Sequence, residues 1–247
     1  MNADEVKAEL RRVARADKVA ILSGFFKTGK GQYGEGDRFL GVVVPDQRKI
    51  AKRFFAGRND LTCAEVLSVV RDLLASEFHE DRLTALLILV EQYKRSGEED
   101  RQRIFELYLK SLRRINNWDL VDLSAPNIVG DYLLNRDPAV LFELAESDHL
   151  WTRRVVVLAT FSFIRVGRFA EILSLSERLL VEKRDAHDLM HKAVGWMLRE
   201  VGKRDQAALE AFLDRHAAQL PRTALRYAIE RFAEPLRQKY LLAGKAS

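Results

Sequence analysis

The chain has 247 residues; 47% are apolar and 31% charged, with thirteen glycines, five prolines and one cysteine. This composition excludes a disordered tail and a disulfide framework, and so few chain breakers disfavour a fold of many short strands. The net charge is +5, unevenly spread: residues 149–247 hold 18 Lys and Arg against 11 Asp and Glu, while the first 148 hold 23 against 25. A basic excess in the second part suits a polyanionic partner, although a solvated helical surface carries such charge without one.

In chain order, residues 1–10 are polar and amphipathic, without the apolar centre of a signal peptide. No apolar run approaches the ~20 residues that a membrane span needs, so a cytoplasmic protein is expected. Residues 13–27 read as a helix. Residues 28–44 are the least regular segment and contain Gly29-Lys-Gly31-Gln-Tyr-Gly34, a G-x-G-x-x-G string. A dinucleotide loop needs a strand before that string and a helix opening from it. Here a helix precedes it and no parallel-sheet pattern follows, so the segment reads as a flexible connection exposing Tyr33.

Cys63 shares helical spacing with Val66, Leu67 and Val70 and reads as a buried, unreactive thiol. In residues 79–94, Leu83, Leu86, Leu87 and Val90 fall at i, i+3, i+4 and i+7, one face of a helix. Ile104, Leu107, Tyr108 and Ser111 repeat the pattern, as do Val155, Leu158, Ala159 and Ser162, and then Leu209, Phe212 and Leu213. Residues 60–62, Asp137-Pro138 and Asp185 signal helix starts; Gly57, Gly97, Gly167 and Gly202 signal stops. Roughly a dozen helices of about 10–18 residues account for the chain.

Trp151-Thr-Arg-Arg154 and Trp196-Met-Leu-Arg199 share a Trp-x-x-Arg pattern 45 positions apart. Each is followed by an apolar helix and a glycine, a spacing that matches the roughly 40–47 residues of a HEAT-type helical pair. The expected fold is therefore all-α: a single domain over 1–247 in which antiparallel helix pairs stack into a HEAT-like superhelix with a concave, basic face.

Three segments could carry chemistry. In Asn116-Asn-Trp-Asp-Leu-Val-Asp122, either asparagine can cap a helix and Asp119 falls in its first turn, where the dipole favours it. Asp122 lies at i+4 from Trp118, so the two share a face. They read either as a packed ring and an ion-paired carboxylate or as a site. Trp196, Arg199 and Lys203 line one face of a second helix, which packing also explains. Of the adjacent Arg153 and Arg154, one at most faces a given groove. His187 and His191 have a zinc-compatible spacing, but no third ligand is apparent and Asp188 pairs more naturally with Lys192, so no metal or other cofactor is expected.

Together, Phe39-Leu-Gly-Val, Asn117-Trp-Asp-Leu-Val-Asp122, Leu150-Trp-Thr-Arg-Arg154 and Lys192-Ala-Val-Gly-Trp-Met-Leu-Arg-Glu200 resemble the DNA alkylation repair family of HEAT-like DNA glycosylases, in that family's order and at comparable spacing. The resemblance implies that Asp122 is the catalytic carboxylate and that Trp118 and Trp196 line the damaged nucleotide. Arg154 would hold the phosphate backbone beside the lesion, with Arg199 as a second backbone contact and Lys203 one turn further along. Tyr33 is the closest counterpart of the family's aromatic near the N-terminal loop, where a glycine-rich insertion interrupts the match. Some relatives lack the aspartate or a tryptophan and are inactive; this sequence keeps them all.

The implied substrate is duplex DNA carrying N3- or N7-alkylated purines, bound by a monomer associated with the nucleoid and held without base flipping. The chemistry fits the residues. An alkylated purine is cationic and leaves without protonation, so no general acid is needed. A fixed carboxylate stabilises the oxocarbenium-like sugar and orients water. Indole faces attract cations, worth about 0.5–2 kcal/mol each, and arginines supply sequence-independent phosphate binding. A catalytically silent protein for bent or branched DNA and a protein-binding helical scaffold are the alternatives. Retention of Asp122 beside Trp118 speaks against the first.

Overall fold

The computed structural model describes residues 1–58, 60–182 and 185–243. Among these it is all-α, a helical-repeat architecture without strands, in which the one β-type pairing is an isolated bridge between Arg38 and Phe78. Its contacts divide into two compact units, Met1–Ser124 and Ala125–Ser247.

The first unit contains α1 (Ala3–Arg12), α2 (Ala16–Phe25), α3 (Val44–Phe55), α4 (Cys63–Leu74), α5 (His79–Arg95), α6 (Glu98–Lys110) and a 3-10 turn at Leu112–Arg114. It ends in α7 (Trp118–Ala125). Capping chemistry fixes two starts. Asn2 and Glu5 at α1, and Thr62 and Glu65 at α4, exchange side-chain and backbone bonds that satisfy otherwise orphaned N–H groups. The second start is the one signalled at 60–62.

Helix α5 is the axis of this unit. Leu83, Leu86, Leu87 and Val90 are buried as their spacing requires, but so are Thr84, Ala85, Ile88 and Leu89 on its other faces. The reason is that α1, α3, α4 and α6 all pack on it. From residue 83 to 90 the helix is therefore buried nearly all round, and periodicity shows only its strongest stripe. Cys63 is buried at the start of α4, and burial pushes its thiol up to about 11, which leaves it protonated and inert at neutral pH.

The second unit opens with a π-helical segment (Pro126–Gly130), then α8 (Asp131–Leu133), α9 (Ala139–Leu144), α10 (Leu150–Arg165) and α11 (Ala170–Ser176). A second π segment (Glu177–Glu182), α12 (Asp188–Gly202), α13 (Gln206–His216), α14 (Arg222–Ala228) and α15 (Glu234–Ala243) follow. Helix α12 is the axis here, packing on α10, α13 and α14. At Gly195 an added Cβ would lie 2.5 Å from the Ala224 carbonyl oxygen and 2.6 Å from Tyr227 Cβ. Glycine is what lets the α12 and α14 backbones touch.

Helices are more numerous and less even than expected: fifteen α-helices among the described residues, from three to seventeen residues long. A helix of six or seven residues spans under two turns, too little to establish a 3.6-residue period. Gly97 starts α6 as its N-cap rather than only ending α5, and Gly202 is still helical. Gly57 and Gly167 stop their helices with positive φ, as expected of glycine just past a helix end.

Candidate active site

In the first unit, α7 begins at Trp118, whose backbone N–H donates to Asn117 Oδ1 at 2.9 Å. Asp119 lies in the first turn and Asp122 one turn after Trp118, so ring and carboxylate share a face, and both side chains are half-buried. The helix is anchored from behind: Tyr108 and Ser124 hydroxyls lie 2.8 Å apart in the core. Burial, and after it the Asp122 charge, raise the Tyr108 phenol against the opposing Ser124 bond.

The Trp118 ring is held by aromatics. It stacks on Phe26 with centroids 5.2 Å apart and planes 20° from parallel, and meets Phe25 edge-on at 5.7 Å. Phe26 in turn stacks on Phe39 at 5.1 Å. Phe25 is 60% exposed, so this end of α2 offers an apolar surface beside the indole.

Beneath the aromatics lies a charged hub that the sequence did not reveal. The first turn of α5 is His79-Glu-Asp-Arg82, and all four side chains are buried. His79 Nδ1 is 2.9 Å from Asp37 Oδ2, and its Nε2 is 2.8 Å from Asp119 Oδ2. Arg82 pairs with the other oxygen of Asp37. The Glu80 carboxylate accepts the backbone N–H groups of Leu40, Gly41 and Val42 at 2.9, 2.9 and 3.1 Å. Asp81 accepts from Arg11 at 3.1 Å and from Ser76 at 2.6 Å. Burial alone works against charge on His79, but Asp119 and then Asp37 outweigh it and push the imidazole up to about 9. Burial likewise opposes charge on Asp37, yet His79 and Arg82 hold it below the usual carboxylate range.

The segment 28–44 is thus tied down through its second half rather than being a simple flexible connection. Its glycine-rich part follows helix α2, with no strand before it, so the G-x-G-x-x-G string is no dinucleotide loop. Gly34 N–H donates to the Lys27 carbonyl at 3.0 Å, and a Cβ at Gly34 would run into the Phe26 carbonyl oxygen. Tyr33 is half-buried, its hydroxyl 3.4 Å from the Phe25 carbonyl, at the edge of the same aromatic group.

In the second unit, Trp196 is half-buried on α12 and approaches Phe161 of α10, with centroids 6.3 Å apart. The guanidiniums of Arg165 and Arg204 lie over the Phe161 ring at 4.3 and 5.8 Å. This basic and aromatic group enlarges the expected Trp196–Arg199–Lys203 face. Arg199 pairs with Glu230, and Lys203 donates to Glu200 at 2.7 Å. Lys203 and Arg204 bond Glu200 and hold its carboxyl below the ordinary range although burial opposes this.

Arg154, expected to hold the phosphate backbone, is engaged within the protein. It is 5% exposed, and its Nη1 donates to the Leu189 carbonyl at 2.7 Å. Its neighbour Arg153 bonds Asp185 at 2.7 Å. His187 accepts the Leu189 N–H, the His191 ring nitrogen lies 2.6 Å from the Asp185 carbonyl, and Asp188 pairs with Lys192 at 2.6 Å, so both histidines serve the start of α12.

His79, Asp37 and Phe161 went unnoticed in the sequence. A charged first turn before an apolar run ordinarily reads as a solvated helix start, and the partners of His79 lie 42 residues before it and 40 after it. No local spacing signals such pairings.

The family model described as DNA alkylation repair enzyme matches residues 6–232. Among solved structures, the chain is similar to a predicted DNA alkylation repair enzyme from Enterococcus faecalis: TM-score 0.72, 15% identity, covering 90% of this chain and 97% of that one. At that identity the likeness is one of fold. No curated protein sequence matches the chain. Since the family model runs over nearly its whole length, the chain belongs to the DNA alkylation repair enzyme family.

Proposed function

We propose that this protein is a monofunctional DNA glycosylase that excises cationic N3- and N7-alkylated purines from duplex DNA, beyond the general repair role that its family carries. The observation that carries this reading is the pairing of Trp118 and Asp122, one turn apart on α7, both half-buried, with the indole braced by Phe25 and Phe26.

In the reaction, the C1′–N bond breaks with its electron pair going to the purine, which leaves neutral. The Asp122 carboxylate faces the positive charge left on the sugar and orients a water whose oxygen bonds C1′. That water's proton passes to the carboxylate and on to solvent, and an abasic site remains. The face of Trp118 attracts the cationic base and sugar, and Trp196, in the second unit, is a further indole of the kind that binds such cations. Arg199 and Lys203 supply backbone contacts, for which each exchanges its intramolecular carboxylate for a phosphate. Arg154 acts mainly by supporting the start of α12, and Tyr33 bonds the backbone of Phe25, the ring that meets the indole edge-on. Contact with sugar and backbone, rather than a pocket for a flipped base, would let bulky adducts be processed.

The test is release of free base from duplex DNA containing N7-methylguanine, by wild type and Asp122→Asn. Release by wild type and a fall of roughly 10²–10³-fold in the variant, with duplex binding retained, is expected. Binding without release by wild type would refute the enzymatic reading and leave a DNA-binding repair protein.

A further inference from the structure

His79 carries an inference that rests on the reading of Trp118 and Asp122 as the site. Both of its ring nitrogens face carboxylate oxygens, Asp37 at 2.9 Å and Asp119 at 2.8 Å. Ionised carboxylates only accept, and a neutral imidazole donates from one nitrogen only. The arrangement is satisfied in full when both nitrogens carry protons. The charge count agrees. Asp37 and Asp119 bring two negative charges, His79 and Arg82 two positive ones; without the imidazolium proton the buried group carries an uncompensated negative charge.

Every element around the ring contributes. Asp37 comes from the segment following the glycine-rich turns, Asp119 from the first turn of α7, and Arg82 from α5 itself. Arg114 of the 3-10 turn lies near enough to feel both Arg82 and Asp37. Glu80 and Asp81 are turned to the backbone of 40–42 and to Arg11 and Ser76. Two phenyl rings pack against the imidazole, Phe39 at 4.7 Å and 22° from parallel and Phe26 at 4.8 Å. Phe26 is the ring on which Trp118 stacks.

We infer that His79 is a positioning residue and pH switch: its imidazolium joins Asp37 to Asp119, fixes the first turn of α7 and thereby sets the Trp118 plane and the Asp122 carboxylate. Loss of its proton leaves a ring nitrogen lone pair against a carboxylate, loosens the turn and lets the indole move, while the rest of the unit stays folded. The route to the site runs both through the hydrogen bond to Asp119 and through the stack from His79 to Phe26 to Trp118.

The aromatic carbon and proton resonances of Trp118, assigned by comparison with Trp118→Phe, report on the indole directly. Followed from pH 7 to pH 10.5 on the full chain, they should shift with a midpoint near 9 in wild type. The shift should be absent in His79→Gln, which keeps a donor but cannot titrate. Its midpoint should fall in Asp119→Asn, which keeps an acceptor but loses one charge. Resonances that stay flat in wild type, or a transition that persists in His79→Gln, would overturn the proposal. So would an unchanged midpoint in Asp119→Asn, the deciding result if His79→Gln does not fold. In parallel, kcat/KM for N7-methylguanine release should drop by roughly tenfold or more through the same midpoint in wild type and be lower and level in His79→Gln. If wild type releases no base, the glycosylase reading fails while the resonances still decide the role of His79.

Discussion

Raising the pH from 7 to 10 removes the proton that joins Asp37 to Asp119, and its cost in stability follows from the site. In an unfolded chain His79 titrates at its ordinary 6.5, and in the folded protein at about 9. The folded form is the better proton binder. Its extra stability is therefore fully present below 6.5 and is lost as pH rises through about 9. A tenfold difference in proton affinity is worth about 1.4 kcal/mol, so the loss between pH 7 and 10 is about 2–3 kcal/mol. Screening does not diminish it much, because His79 is only 1% exposed. Asp37, whose carboxyl is depressed, works in the opposite window: its contribution is present above the ordinary carboxylate value of 3.8 and is lost as pH falls below it. It does not vary over this range. For a chain of this size the loss corresponds to roughly 4–12 °C in Tm. Calorimetry of wild type and His79→Gln at pH 7 and 10 isolates the effect, since other groups that titrate near pH 10 are common to both. Wild type should lose that much more Tm than the variant. Equal losses would mean that the imidazole is not held protonated in the folded state, and would refute the argument.

Other expectations concern the close approaches and the arginines. Gly34→Ala places a methyl group against the Phe26 carbonyl oxygen and 3.1 Å from that of Lys27, so it should cost about 1–3 kcal/mol in thermal unfolding; an unchanged Tm would show that the segment yields freely. Arg154→Ala should lower stability by about 1–3 kcal/mol by removing a buried side chain and its bond to the Leu189 carbonyl, and should leave the slope of DNA affinity against salt unchanged. A slope smaller by about one would instead make Arg154 a phosphate contact. Arg199→Ala, by contrast, should reduce that slope by about one, as read from binding isotherms at several salt concentrations.

The helical class, the helix starts at Thr62 and Asp137, the buried Cys63 and the shared face of Trp118 and Asp122 were all legible in the sequence. Each rests on interactions within a few residues: a cap reaches three positions, and a face repeats every three or four. Resemblance in four short segments was enough to name the family. What the sequence could not convey was how the site is held. The His79–Asp37–Asp119 hub joins residues some forty positions apart, and its members read locally as an ordinary solvated helix start. The burial of Arg154 against the Leu189 carbonyl is of the same kind, since the two lie 35 residues apart and meet only where α10 packs on α12. Local chemistry specifies which helices form and which face each one buries. Only packing decides which charges lose their water, and desolvation is what turns the charged first turn of α5 into the anchor of the aromatic site.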